Sequence, residues 1–128
     1  VDALKGAPGI YSARYAGPNA SYNDNVSKML KELKDIDKKY RTATFKTVVT
    51  FVSKDLELVS EGSVKGFITE KPYGKSGFGY DPIFYVLEKN KTFSEMNINE
   101  KKQCSHRGKA IANLKQLFKE NTNLLNSK

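Results

Sequence analysis

The chain has 128 residues, of which 38% are hydrophobic and 28% charged, which fits one domain or one lobe of a larger one and excludes a disordered polyelectrolyte. Lys and Arg number 22 against 14 Asp and Glu, for a net charge of +8, a balance that favours polyanionic or phosphorylated partners. No apolar run approaches the ~20 residues of a membrane helix, and a single cysteine, Cys104, excludes an internal disulfide and a cysteine-only zinc site, so a reducing cytoplasmic setting is expected.

The first 20 residues hold Gly6-Ala7-Pro8-Gly9 and Gly17-Pro18, which predict ordered turns around Ile10-Tyr11-Ser12-Ala13-Arg14-Tyr15. Ser21 to Asn25 then offers N-cap side chains. Val26, Met29, Leu30, Leu33 and Ile36 follow at helical spacing, which predicts a helix ending near Asp37. Residues 42–53 are rich in β-branched and aromatic side chains and read as a strand, with a bulge or two working faces. Two more strands are expected at 56–60 and 63–69, broken at Gly62, in an antiparallel meander. A loop with three glycines, Pro72 to Gly79, leads to a strand over 83–87. Thr92-x-x-Glu95 and Asn97-x-x-Glu100 have capping-box spacing, and Ala110, Ile111, Leu114, Leu117 and Phe118 give the apolar face of a last helix from about 98 to about 121. The final residues are expected to fray. No repeat or long linker divides this order. It is a mixed α/β chain with antiparallel local pairing and flanking helices, too poor in parallel crossover units for a complete doubly wound domain.

The lysines are spread along solvated faces, and none of the patches (Lys28 and Lys31, Lys38-Lys39, Lys101-Lys102) is a polybasic block. A nucleic-acid tract is therefore not the expected use of the charge. In the glycine loop, Gly77-Phe78-Gly79-Tyr80-Asp81-Pro82 holds aromatics and an acid between turn formers. An exposed aromatic there can stack on a base; a buried one plugs the core, and composition alone favours burial. Ser105-His106-Arg107-Gly108 brings together the only histidine and an arginine, a donor pair suited to carbonyl acceptors or to packing at a core edge. Gly108 inside a helix costs ~1 kcal/mol relative to Ala, which suggests a close approach there. Cys104 and His106 lie two apart and would not face one another on a helix, so a catalytic triad is a poor reading. The acids are scattered without metal-ligand spacing.

Three segments taken together resemble the non-canonical purine nucleoside triphosphate pyrophosphatases, the inosine triphosphatases. They are residues 6–15, Gly77-Phe78-Gly79-Tyr80-Asp81-Pro82-Ile83-Phe84, and Ser105-His106-Arg107-Gly108-Lys109-Ala110, in the family's order and at compatible spacing. The resemblance implies hydrolysis of ITP, dITP and XTP to the monophosphate and pyrophosphate with Mg²⁺, in a cytoplasmic homodimer. It implies that Phe78 stacks on the purine and that Gly79, Tyr80 and Asp81 belong to the same base-recognition loop. His106 and Arg107 match the pair that reads the 6-oxo edge, Lys101 the lysine that approaches the nucleotide, and Ser12 and Arg14 the loop that closes over the site. The family pattern also has a Thr/Ser-x-Asn-x-x-Lys phosphate loop, a metal-binding glutamate and an Asp-Asp-Ser-Gly motif, none of which is in this sequence. The 128 residues are therefore expected to be the C-terminal two-thirds of an elongated inosine-triphosphatase-like domain. The catalytic acid is expected upstream of Val1, and no residue of this chain is assigned to the metal. The alternative is a catalytically incomplete module that binds purine nucleotide or nucleic acid.

Overall fold

Ser21 starts the first helix by a reciprocal cap. Its hydroxyl accepts from the Asp24 backbone N–H at 3.1 Å, and its own N–H donates to the Asp24 carboxylate at 2.9 Å. In this computed structural model, which describes residues 1–121, helix α1 then spans Tyr22–Glu32. It stops short of the expected end near Asp37. Residues 33–36 turn away instead, because the carbonyls of Leu33 and Ile36 accept from the guanidinium of Arg41 rather than continuing a helical ladder.

The strands are β1 (Thr42–Val52), β2 (Glu57–Ile68), β3 (Phe84–Val86) and β4 (Lys91–Thr92), in one sheet of order β1-β2-β3-β4. The β2–β3 and β3–β4 pairs are antiparallel, as the meander predicted. Two further helices, α2 (Ile98–Cys104) and α3 (His106–Glu120), complete the mixed α/β order. The fraying expected of the final residues falls outside the described residues. The chain divides into two compact units, residues 1–44 with 65–98, and residues 45–64 with 99–128.

The first unit has its core in Met29, Leu33, Ile68, Ile83, Phe84, Val86 and Phe93, all nearly inaccessible. Phe84 and Phe93 stack at 5.6 Å, and the cross-strand pair Phe67 and Tyr85 at 4.5 Å. Among these apolar groups lies Arg41, only 2% exposed. Its guanidinium donates to Ile68 O and Thr69 O, each at 2.7 Å, as well as to Leu33 O and Ile36 O. Burial lowers its pKa, and nearby Glu70 partly offsets that shift. The turns expected at Gly6–Gly9 and Gly17-Pro18 are present at residues 5–8 and 18–19, and beside them lie two 3-10 segments that were not expected, Asp2–Leu4 and Gly9–Arg14.

In the second unit β1 alternates cleanly. Phe45, Thr47, Val49 and Phe51 are the covered side and Lys46, Val48 and Thr50 the exposed one, so neither a bulge nor a second face is needed. Strand β2 runs without a break where two strands were expected. Gly62 sits inside it because α3 crosses there; a Cβ would lie 2.1 Å from His106 O and 2.4 Å from Ala110 N. Ser60 Oγ donates to Ala110 O at 2.7 Å, and Phe51 meets Phe118 edge-on at 4.8 Å. The single helix expected over 98–121 is two. Ser105 leaves helical geometry (φ −66, ψ 146) and caps α3 by accepting from Gly108 N–H.

Removing the Arg41 fork would take a donor from carbonyls at the end of α1 and the end of β2. Arg41→Met should destabilise the chain by about 3 kcal/mol in denaturant unfolding, since each unmet buried polar group costs ~1–3 kcal/mol. A loss under ~1 kcal/mol would show that these bonds do not hold the unit together.

Candidate nucleotide-binding site

The glycine loop is held from several sides. Tyr73 N–H donates to Pro82 O at 2.8 Å, closing the loop's neck. Thr92 Oγ1 donates to Tyr73 O at 2.8 Å and Ser76 Oγ to Ser94 O at 2.7 Å, so the segment after β4 serves as its anchor. That segment is itself fixed by the predicted Thr92–Glu95 capping box. Within the loop Asp81 is buried, and its carboxylate accepts from the Phe78 backbone N–H at 3.1 Å. The result is a Phe78 ring 55% exposed. Composition favoured a core plug; the carboxylate clamp beneath the loop instead holds this aromatic out in solvent.

Tyr80 takes the opposite course. It is half-buried, and its hydroxyl donates to the backbone oxygen of Ser12 at 2.6 Å. Burial pushes the Tyr80 phenol up to about 12. This bond joins the glycine loop to the Gly9–Arg14 segment. Arg14 is exposed there, its guanidinium 5.5 Å from the Tyr11 ring. Six of the predicted site residues (Ser12, Arg14, Phe78, Gly79, Tyr80, Asp81) thus belong to the first unit.

The other three belong to the second unit. Lys101 is half-buried on α2, and its carbonyl accepts from Ser105 N–H at 2.8 Å. His106 opens α3, half-buried, with its ring edge-on to Phe45 at 5.2 Å and 73°. Arg107 follows on the first turn and is exposed. His106 is therefore held by packing, while the neighbouring guanidinium faces solvent. The close approach suspected at Gly108 is real and internal, since a Cβ there would lie 2.7 Å from Lys102 O. Gly108 stands at the capped start of α3 rather than mid-helix.

Two partners escaped the sequence analysis. Phe45 was legible as a strand residue but not as the neighbour of His106. Tyr22 carries no local signal at all; its ring lies 6.0 Å from that of Phe78. Among the described residues no group of three or more His, Cys, Asp or Glu could hold a metal ion. Asp81, the one carboxylate of the loop, is committed to the Phe78 amide. The donor set present does not fit a Mg²⁺ site.

A model of the Ham1 family matches residues 1–117. The dITP/XTP pyrophosphatase of Thermoanaerobacter sp. (strain X514) is 47% identical over 115 residues, covering 90% of this chain and 58% of the relative. That of Clostridium perfringens (strain 13 / Type A) is 48% identical over 120 residues, 93% of this chain and 59% of the relative. Among solved structures, the Staphylococcus aureus Ham1 protein superposes with a TM-score of 0.87 at 46% identity, covering 95% of this chain and 62% of that one. A HAM1 protein from Coxiella burnetii gives 0.86 at 39% identity, covering 93% and 62%. The chain thus spans less than two-thirds of the length of these relatives. Among the described residues no helix is long and apolar enough to cross a membrane.

The burial of Tyr80 has a titration signature. Tyr80 Cζ followed by NMR should titrate near 12 rather than at the ordinary value of 10.0. The folded chain then holds this proton more tightly than the unfolded chain. Its contribution to stability is full below pH 10 and is lost as the pH rises from 10 towards 12. Tyr80→Phe should remove the signal and cost about 1 kcal/mol. Titration of Tyr80 at 10 would show a hydroxyl that water reaches freely.

Proposed function

The chain belongs to the Ham1 family, and from that premise we propose that it recognises the base in a nucleoside triphosphate pyrophosphatase. That enzyme would hydrolyse ITP, dITP and XTP to the monophosphate and pyrophosphate, removing non-canonical purines from the nucleotide pool. The observation that carries the reading is the exposed Phe78 ring on a loop clamped by Asp81. It is a flat apolar face prepared before any ligand arrives, and a purine stacked on an aromatic gains ~1–3 kcal/mol.

Each residue has a physical part in the proposal. Phe78 stacks on the purine, and Gly79 leaves space beside it, because a Cβ there would meet nothing within 4 Å. Asp81 holds the loop through the Phe78 amide, and Tyr80 ties it to the segment of Ser12 and Arg14. Arg14, exposed on that segment, is suited to a phosphate oxygen, and so is the ammonium of Lys101. His106 and Arg107 donate to the carbonyl at C6. Hypoxanthine and xanthine present that acceptor, whereas adenine presents an amino group that would leave the donors unmet. Such a mismatch costs ~1–3 kcal/mol, or roughly five- to 150-fold in affinity. Placement of the base in turn aligns the phosphates. Mg²⁺, when bound, would supply charge stabilisation at the phosphates. The described residues hold no group of three or more His, Cys, Asp or Glu suited to that ion. A cytoplasmic setting and a homodimer complete the proposal, and neither membrane nor nucleic acid is among the proposed partners.

Calorimetric titration of the chain with dITP and dATP tests this reading. The dITP affinity should exceed that for dATP by about tenfold, and Arg107→Ala should bring the ratio towards one. Equal affinities in the unaltered chain would refute base reading by these donors. Affinity that climbs with oligonucleotide length and collapses with salt would instead mark a nucleic-acid binder.

A further inference from the structure

Phe78 is flanked by Gly77 (φ +84) and Gly79 (φ +62), both in the left-handed region. Glycine admits several backbone directions at such positions, so the clamp on the Phe78 amide fixes where the loop sits rather than where the ring points. A side-chain neighbour must settle the ring's direction. Tyr22 is such a neighbour. Its ring centroid is 6.0 Å from that of Phe78 at an interplanar angle of 42°, inside the ~4.5–7 Å range of attractive aromatic pairs. Tyr22 is the first residue of α1, and the Ser21–Asp24 capping box fixes the backbone that carries its ring. Both rings are exposed, Tyr22 by 59% and Phe78 by 55%, so the pair does not serve as core. Single exposed aromatics are ordinary. Here two rings from separate elements meet and form one apolar step on the surface.

We propose that Tyr22 is a positioning residue for base recognition: its ring braces Phe78 so that the opposite face of Phe78 is presented to a purine. The inference rests on the reading that Phe78 stacks on the base. It adds a residue outside the three segments that carry the family resemblance. Tyr22 acts through the ring, not the hydroxyl, and needs no contact with the nucleotide.

A double-mutant cycle on the 128-residue chain tests it, with dIMP as the probe so that phosphate and metal contacts weigh little. Dissociation constants are measured for the unaltered chain, Tyr22→Ala, Tyr22→Phe, Phe78→Ala and the double variant Tyr22→Ala/Phe78→Ala. Thermal melts verify that each variant is folded. Tyr22→Ala should weaken dIMP about two- to tenfold, the range of an aromatic pair. Tyr22→Phe should bind as the unaltered chain does. In the Phe78→Ala background, Tyr22→Ala should have no further effect. If Phe78→Ala weakens dIMP while Tyr22→Ala does not, the bracing is refuted and the base-recognition reading survives. Equal losses from Tyr22→Ala in both backgrounds, or a Tyr22→Phe loss as large as that of Tyr22→Ala, also overturn the bracing. If Phe78→Ala changes nothing, or the unaltered chain does not bind dIMP, the reading beneath it falls as well.

Discussion

A buried guanidinium that donates to four backbone carbonyls is the constraint on which the first unit depends. Arg41 carries five donors in a rigid fork, and four of the bonds they make run to oxygens on two stretches of chain. Leu33 and Ile36 lie just past α1, while Ile68 and Thr69 lie at the end of β2. A buried oxygen left unmet costs ~1–3 kcal/mol, so the fork favours keeping the two stretches together. The charge is stabilised by carbonyl dipoles, with burial depressing the pKa and Glu70 opposing it. The fork thus ends the helix and directs the strand into the loop that follows.

Those two consequences reach the candidate site from both sides. Helix α1 carries Tyr22 at its far end, and β2 leads through Thr69, whose N–H donates to Ile83 O at 2.8 Å, into the glycine loop. The loop then uses its own polar groups to hold backbone, its own and that of two neighbouring segments. Asp81 accepts from Phe78 N–H, Tyr80 reaches Ser12 O, and Ser76 reaches Ser94 O. A carboxylate and a phenol that might have been read as ligands to substrate are engaged in holding the backbone. The apolar ring they hold is left exposed, and in the proposed function its ordering entropy is met before a ligand binds.

Selectivity in the proposed reaction divides along similar lines. Stacking on Phe78 accepts any base, because every base has a π-face. Discrimination has to come from donors that suit a carbonyl and not an amino group, which is what an arginine and a histidine on a helix's first turn can provide. His106 is oriented by its edge contact with Phe45, and Arg107 beside it is exposed. A packed donor is preoriented, and an exposed one can adjust.

What the sequence determined by itself is what depends on near neighbours. The Ser21–Asp24 and Thr92–Glu95 caps, the apolar spacing of α1, the order of elements and the three motif segments were all legible, since a cap or a periodic face is written within a few residues. Tertiary structure alone decided the rest. Gly62 reads locally as a strand break, yet it keeps β2 continuous because the α3 backbone needs the space. Residues 33–36 read as helix, yet Arg41 takes their carbonyls from the ladder. Phe78 reads as core, yet Asp81 holds its loop outward against Tyr22. For Gly62 and for residues 33–36 the deciding partner lies on a different element, as Tyr22 does for the Phe78 ring, and a local pattern carries no record of what the fold will bring beside it.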